Sequence, residues 1–285
     1  MAVTIKQKRK KKRIRKFLME SIAVVLALVV FGIPFSFVLL NSAKPRAEAL
    51  QFRLSLPEEF AAVENFTEVF TTQNFMVVRG FVNSLIITVV SVVLLIFMCA
   101  LAGFVMQRRR NKVTALASYL SLTGLMVPPA IVPTIWVLQF LGVFGNLSAM
   151  ILVQIALQAP FSILLYRGFS SGIPREIDEA AFIDGCGPIR FFFNIVFPLL
   201  KPVTATIAII TAITIYNDFA NALYFLPGAR NVTVQITMFN FFGQFGSAWN
   251  LLFANVVLIS VPPLIMFLFF SKRIVSGMVA GAIKG

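Results

Sequence analysis

The chain has 285 residues, of which 59% are hydrophobic, 25 are basic and 11 are acidic. Water could not solvate a domain of this composition, which excludes an ordinary soluble protein and favours one that spans a membrane. The chain has no histidine and only two cysteines, Cys99 and Cys186, far apart in the sequence. We therefore expect no zinc or two-metal site and no metal on this chain.

A dense run of basic residues at 6–16 directly precedes the first apolar stretch. Such a run could bind the phosphate backbone of nucleic acid. Beside a membrane span, however, it is typical of a segment that sets orientation and contacts anionic lipid. We expect membrane lipid and no nucleic acid as its partner. The apolar run that follows is longer than that of a signal peptide, which predicts a retained first helix.

The apolar stretches predict an all-α, polytopic membrane protein with six transmembrane helices. A span needs about 20 apolar residues, and the alternating pattern of a membrane barrel is missing. Residues 113–166 carry no charge and are too long for one helix, so Gly142, Gly145, Asn146 and Ser148 are taken as the break inside them. The six predicted spans are 21–40, 81–106, 117–140, 149–166, 202–223 and 251–270.

Two of these spans contain more than one proline. Pro128, Pro129 and Pro133 interrupt the third, and Pro262 and Pro263 lie in the sixth. A proline in a helix interior breaks or kinks the helix unless neighbours satisfy the freed carbonyl groups. Broken spans often line a transport pathway, but passive kinks are also common in membrane helices, and both interpretations stay open here.

The distribution of positive charge predicts the orientation. With a cytoplasmic N-terminus, the inside segments are 1–17, 107–112, 167–201 and the chain from 271, and they hold 20 of the 25 basic residues. Cytoplasmic segments are expected to carry this excess of Lys and Arg. Both termini and the polar loop at 167–201 are therefore predicted to lie in the cytoplasm.

That loop has the sequence features of a helix-turn-helix. Pro174 suits a first helical turn, and Glu176, Asp178 and Glu179 favour the positive end of a helix. Gly185 and Gly187 are expected to end this helix, and Pro188 to open a second one that carries three phenylalanines, Phe191, Phe192 and Phe193. Small Ala180 and Ala181 would permit close approach of a docked partner. An ordinary solvated loop is the alternative, although three adjacent phenylalanines are unusual in one.

A polar cluster is predicted near the outer end of the fifth span. It comprises Tyr216, Asn217, Asp218, Asn221 and Tyr224. Amides, a carboxylate and aromatic rings suit sugar hydroxyls and the apolar face of a sugar, and we predict that the cluster lines a substrate pathway. An interfacial aromatic belt is the alternative, although an isolated carboxylate in lipid is costly.

The chain lacks the G-x-x-x-x-G-K-[ST] phosphate-binding loop. We therefore predict that it is not an enzyme and binds no cofactor. If it transports uphill, energy comes from a partner or from an ion gradient. Ion-coupled carriers usually bury several ionisable groups at mid-membrane, whereas Asp218 is the only acid well inside a predicted span. Energy supplied by a partner is favoured.

Residues 179–202, EAAFIDGCGPIRFFFNIVFPLLKP, resemble the EAA loop of ABC importer permeases. The match to E-A-A-x(3)-G-x(9)-I-x-L-P has Phe197 in place of Leu. Further segments resemble the maltose-type permease family of carbohydrate ABC importers, in particular its second permease subunit, and the likeness extends over about residues 80–285. They are 125–133 (LMVPPAIVP), 142–147, 167–169, 173–177 (IPREI), 216–219 (YNDF), Trp249 and 277–285 (GMVAGAIKG).

The resemblance implies a subunit of an ATP-driven, binding-protein-dependent importer in a bacterial or archaeal inner membrane. Its partners would be a second, different permease, two ABC ATPase subunits that carry ATP and Mg²⁺, and an extracytoplasmic sugar-binding protein. ATP binding would draw the coupling helices together, and hydrolysis would reset them. The residues implied to contact the ATPase are Glu176, Glu179, Ala180, Ala181, Asp184, Gly185, Phe191 and Pro198. In some relatives the other permease holds most of the sugar contacts.

The predicted organisation has four parts: a basic N-terminus (1–17), a first span with a periplasmic segment (18–80), a permease core (81–271) with its EAA loop at 170–201, and a cytoplasmic tail (272–285). Two other functions stay open. One is a gradient-driven carrier or channel that depends on Asp218. The other is a non-transporting membrane scaffold whose loop docks a soluble partner.

Overall fold

The computed structural model describes residues 16–242 and 248–282, with side chains as far as residue 270. The basic run at 6–16 lies almost entirely outside these residues. Every regular element in the described part is helical. In chain order the helices are α1 (Lys16–Ser42), α2 (Arg46–Ala49), α3 (Ala62–Arg108), α4 (Lys112–Met126), α5 (Ile131–Phe140), α6 (Leu147–Ser170), α7 (Glu176–Ile183), α8 (Pro188–Leu199), α9 (Lys201–Tyr216), α10 (Ala220–Phe225), α11 (Val234–Thr237) and α12 (Trp249–Ala282).

Four of the described helices, α1, α3, α6 and α12, are long and apolar enough to cross a membrane. A fifth span is possible if α8 and α9 form one, but these two helices meet at a bend of 76°. The prediction of a polytopic all-α membrane protein is therefore confirmed at this level. The count of six spans remains a prediction.

Two predicted spans are not single helices. The predicted third span, 117–140, is divided into α4 and α5 by residues 127–130, where Pro128 and Pro129 stand. Pro129 cannot donate a helical hydrogen bond, and each proline disfavours helical backbone in the residue before it. The predicted fifth span, 202–223, ends as a helix at Tyr216, and Leu223 belongs to the separate helix α10.

The remaining predicted break is observed, whereas the prolines of the sixth predicted span do not end a helix. Gly142 and Gly145 have φ of +69° and +79°, and they connect α5 to α6 as the sequence predicted. α12 continues through Pro262 and Pro263 without ending. The long helix α3 contains a break that the sequence did not predict, where Gln73, Asn74 and Phe75 have left-handed backbone.

The chain divides into two compact units. One comprises the chain up to Thr71 together with Met238–Leu258, and the other comprises Thr72–Thr237 and the chain from Ile259 onward. The predicted four-part organisation stays a prediction.

In the first unit, buried polar groups form a connected network. The ammonium group of Lys44 donates to the carbonyl oxygen of Arg53 at 2.9 Å and lies 3.4 Å from the Glu48 carboxylate. The amide of Asn65 donates to the carbonyl oxygens of Ser42 and Lys44, each at 2.9 Å. These contacts compensate the burial of a charged side chain.

The second unit contains two apolar clusters. One lies where α6 packs against α9 and α10, and it includes Val153, Ile215 and Phe225. The other joins the C-terminal end of α3 to the chain around α8, and it includes Phe104 and Phe192. This second cluster forms the base on which the EAA loop (residues 170–201) rests.

Candidate functional site

The EAA loop begins with α7, an eight-residue helix that carries acids in its first turn. Glu176, Asp178 and Glu179 occupy this turn, where negative charge is favourable against the helix dipole. Pro174 lies two residues before the helix rather than within its first turn. The acidic start was thus predicted correctly, and the position of the proline was not.

Gly185 ends α7 through a Schellman motif. The N–H of Cys186 donates to the carbonyl of Ala181 at 2.9 Å, and the N–H of Gly185 donates to the carbonyl of Phe182 at 3.1 Å. Gly185 has φ of +73°, which suits glycine because other L residues are strained there. No atom lies within 4 Å of where its side chain would be. The backbone, rather than lack of space, therefore requires glycine at this turn.

The second helix, α8, starts at Pro188 as predicted, and its phenylalanines turn largely toward the chain's own core. Phe192 is buried, and its ring centroid lies 5.9 Å from that of Phe104 on α3. Phe191 is half-buried and lies 6.1 Å from the same ring. Phe193 is more exposed and packs toward Phe97. The run of three phenylalanines therefore has an internal packing role as well as any external one.

Arg108, at the end of α3, fixes the start of the EAA loop. Its Nε lies 2.7 Å from Oδ2 of Asp178, and its Nη2 donates to Oδ1 at 3.1 Å. The same Nη2 donates to the carbonyl oxygen of Ile173 at 3.0 Å. The guanidinium also sits over the Phe104 ring, 5.4 Å from its centroid. α7 is thereby attached to α3 through one side chain.

The predicted coupling residues are exposed to different degrees. Ala181 is 6% exposed and packs within the chain, so it does not present itself to a partner as expected. Large apolar side chains stand out instead: Phe182 is 84%, Ile183 87% and Ile189 75% exposed. Among the remaining candidates, Phe191 and Pro198 are half-buried, and the exposed ones are Glu176, Glu179, Ala180, Asp184 and Gly185.

In the polar cluster, Asp218 is the centre of a hydrogen-bond network. Its Oδ2 accepts from the amides of Gln154 and Asn221, the latter at 2.7 Å, and its Oδ1 accepts from the backbone N–H of Asn221 at 3.0 Å. Gln154 is 1% exposed. Three donors stabilise the carboxylate, and the bond to the backbone satisfies one of the N–H groups that have no helical partner at the start of α10.

The other members of the polar cluster point elsewhere. Tyr216 is buried, and its hydroxyl donates to the carbonyl oxygen of Ile259 at 3.3 Å. The amide of Asn217 donates to the carbonyl of Ile213 in its own helix. Tyr224 is exposed on α10. The structure therefore brings Asp218 and Asn221 together but does not gather all five residues into one pocket.

Sequence reasoning missed two residues of these sites. Arg108 was counted only as a charge that sets orientation, and Gln154 lay inside an apparently uniform apolar stretch. A polar amide within a predicted span was a signal for Gln154, because such a group needs a partner in lipid. Among the described residues, no group of three or more Cys, Asp or Glu side chains could hold a metal.

The long apolar helices define a class, that of multi-pass helical membrane proteins. The sequence matches the family described as "Binding-protein-dependent transport system inner membrane component" over residues 99–279. The chain belongs to this family of ABC transporter permeases.

The sequence is similar to those of its relatives along most of the chain. It is 33% identical to the melibiose/raffinose/stachyose import permease protein MelC of Bacillus subtilis, over 93% of this chain and 95% of the relative. It is 29% identical to the probable starch degradation products transport system permease protein AmyC of Thermoanaerobacterium thermosulfurigenes, over 96% and 99%. A bacterial ABC transporter involved in alginate import has the same fold, with a TM-score of 0.81 at 19% identity over 92% of this chain and 97% of that one.

Proposed function

We propose that the chain is one permease subunit of an ATP-driven, binding-protein-dependent importer for a carbohydrate, and that it forms half of the translocation pathway. The geometry of the EAA loop carries this proposal. α7 is capped by Gly185, attached to α3 by Arg108 and flanked by exposed Phe182 and Ile183. An exposed apolar pair on a firmly held helix is suited to docking a protein partner.

The substrate class is inferred from the relatives. Their names specify melibiose, raffinose and stachyose, starch degradation products, diacetylchitobiose and arabinooligosaccharides. Di- and oligosaccharides, or related polyols, are therefore the substrates proposed for this importer. Asp218 and Asn221 are the residues of this chain that we propose to line its pathway, since both carry polar groups that could exchange partners with sugar hydroxyls.

The proposed partners are a second homologous permease, two ABC ATPase subunits and an extracytoplasmic sugar-binding protein. One solved relative in fold is described as a complex with an alginate pentasaccharide-bound periplasmic protein, which supports the last of these. ATP and Mg²⁺ would be bound by the ATPases. The proposal includes six spans, with α4 and α5 forming a broken third one, and cytoplasmic termini, as the charge distribution indicates.

Co-purification tests the class of machine. The tagged chain, isolated from its native membrane, should bring down a second permease, an ATPase and a solute-binding protein, and the preparation should hydrolyse ATP. Mass spectrometry identifies the partners, and sugar-loaded binding protein should stimulate hydrolysis. Recovery of the chain alone, without ATPase activity, would contradict the proposal.

Replacement of Gly185 tests the role of the loop. Gly185→Val strains a left-handed position by about 1–2 kcal/mol, and it distorts the end of α7 where we place the ATPase contact. We expect uptake to fall at least about tenfold, since a small misplacement at a coupling contact is costly. Uptake and ATP hydrolysis are measured together in reconstituted vesicles.

Gly142→Val is the matched control. Gly142 also has a left-handed φ, +69°, with no atom near the missing side chain, but it lies in the α5–α6 connection. It should carry the same backbone strain and keep the ratio of uptake to hydrolysis. An equal loss in both variants would show that strain alone, rather than the loop contact, explains the effect.

A further inference from the structure

A cavity of about 610 Å³ lies at the end of α3, outside both sites described above. Its lining includes four basic residues, Arg109, Arg110, Lys112 and Arg167, together with apolar Met106 and Ala115. Cavities of this size accommodate small ligands. No carboxylate is part of the lining among the described residues, so the cavity has a strongly positive potential.

One of these four charges is held in place, while Arg109, Arg110 and Lys112 are exposed. Nη1 of Arg167 donates to Oγ of Ser118 at 2.9 Å, which fixes the guanidinium between α4 and α6. Asp178, the acidic residue of the EAA loop that contacts α3, is already paired with Arg108. The cluster can therefore bind an anion without breaking an ion pair.

The start of α4 adds to the positive potential. Asn111 and Thr114 form a capping box, in which the N–H of Thr114 donates to Oδ1 of Asn111 at 2.8 Å. This firmly formed end belongs to a helix of 15 residues, and its dipole is positive there. Backbone and side chains thus attract negative charge to the same place.

α4 also has an exposed apolar face. Val113, Leu116 and Leu120 lie at helical spacing and are 74%, 59% and 63% exposed. They lie on the side of α4 opposite Thr114, Ala115 and Ser118, which line the cavity. An apolar outer face of this kind is suited to contact with lipid, so the basic cavity lies beside a lipid-facing helix and phospholipid is the phosphate-bearing molecule at hand.

We propose that this cavity is a binding site for the headgroup of an anionic phospholipid. Basic pockets at the membrane surface attract such headgroups. In the orientation proposed above, the site faces the cytoplasmic leaflet. It lies between the connection of α3 to α4 and the end of α6, so a bound lipid would join α3, which holds the EAA loop through Arg108, to α6, which precedes the loop.

The full transporter is purified by a tag on this chain and exchanged into nanodiscs of phosphatidylcholine with added phosphatidylglycerol. The test measures which of the two lipids the transporter retains. Native mass spectrometry should find phosphatidylglycerol retained in preference to phosphatidylcholine. The double variant Arg109→Gln/Arg110→Gln removes two exposed charges and should weaken retention about 25-fold, at about fivefold for each basic residue. Its gel-filtration profile should match the wild type.

Arg230→Gln is the matched control, because Arg230 is an exposed arginine in the loop after α10, away from the cavity. It should leave retention unchanged. Loss of retention in this control, or equal retention of both lipids by the wild type, overturns the proposal. So does displacement of the lipid by millimolar inorganic phosphate, which would identify a site for the free anion. An Arg167→Lys variant, which keeps the charge, should retain the lipid even if the double variant folds poorly.

Discussion

Arg108 is the residue that attaches the EAA loop to the rest of the chain, and its contacts explain why a lysine would not replace it. The planar guanidinium reaches both oxygens of Asp178 and a backbone carbonyl at once. A lysine ammonium presents a point charge without this fixed geometry. From sequence, Arg108 is indistinguishable from Arg109 and Arg110, because charge counting gives no information about which of three neighbours is paired.

Loss of the Arg108–Asp178 pair should lower stability and coupling together. The two side chains are only 13% and 28% exposed. Arg108→Gln should therefore lower the free energy of unfolding by about 2 kcal/mol, as for other charged hydrogen bonds. Thermal unfolding of the purified transporter measures this change.

A double-mutant cycle with Asp178→Asn isolates the pair. The two single changes should be less than additive, since both remove the same contact. Strict additivity would mean that Arg108 acts through the carbonyl of Ile173 or the Phe104 ring instead.

A substitution at Asp218 distinguishes the hypothesis of ATP-driven transport from that of gradient-driven transport. Its carboxylate accepts three hydrogen bonds, which suits a fixed acceptor. Asp218→Asn keeps the size and one acceptor oxygen, so ATP-dependent uptake should continue at a reduced rate and stay insensitive to a protonophore. Uptake in vesicles with and without ATP measures this.

The control for Asp218 is Thr214→Val, whose exposed hydroxyl bonds only to the carbonyl of Ile210 one turn earlier. It should behave as wild type. Wild-type uptake that needs no ATP, collapses with a protonophore and disappears in Asp218→Asn would favour the gradient-driven carrier.

At the scale of elements, α3 and α6 pack at unusually close range. A methyl group added at Gly103 would lie 2.7 Å from Cβ of Tyr166 and 2.9 Å from the backbone N of Arg167. Small residues allow membrane helices to approach in this way. The contact brings together α3, which holds the EAA loop through Arg108, and α6, which precedes the loop.

Gly103→Ala should separate these helices and destabilise the protein by about 1–3 kcal/mol, the usual effect of overpacking. Gly168→Ala, on the same helix as Tyr166 but with no atom within 4 Å of the added carbon, should have a much smaller effect. Thermal unfolding of both variants is the measurement. Equal destabilisation would show that loss of glycine flexibility, rather than the close contact, matters.

The sequence predicted the ends of these elements correctly where a glycine or a proline stands at them. Gly142 and Gly145 marked the start of α6, and Pro188 marked the start of α8. It failed where apolar residues run on without interruption or where a tertiary contact decides the end of a helix. The predicted fifth span ran through Asn217 and Asp218 because the apolar residues resume after them. The bond from Gln154 to Asp218, between residues 64 positions apart, stabilises the break and could not be predicted locally.

At the scale of the whole molecule, the uneven charge distribution predicts a testable orientation. Cys186 in the EAA loop is half-buried, and Cys99 in α3 is buried. A membrane-impermeant maleimide should not label Cys186 when it is added to intact cells. It should label Cys186 in inverted vesicles, after a urea wash has removed peripheral subunits. A Cys186→Ser/Arg230→Cys variant should show the reverse pattern. Labelling of Cys186 from outside intact cells would reverse the proposed topology.

The attachment of α7 to Arg108 has a mechanical consequence. Residues 76–108 of α3 form an uninterrupted helix about 50 Å long, at about 1.5 Å per residue. One end holds the EAA loop, and the other begins at the left-handed break formed by Gln73, Asn74 and Phe75. We predict that a push on α7 reaches this helix through the ion pair of Arg108 with Asp178, and that the uninterrupted helix transmits the push along its length.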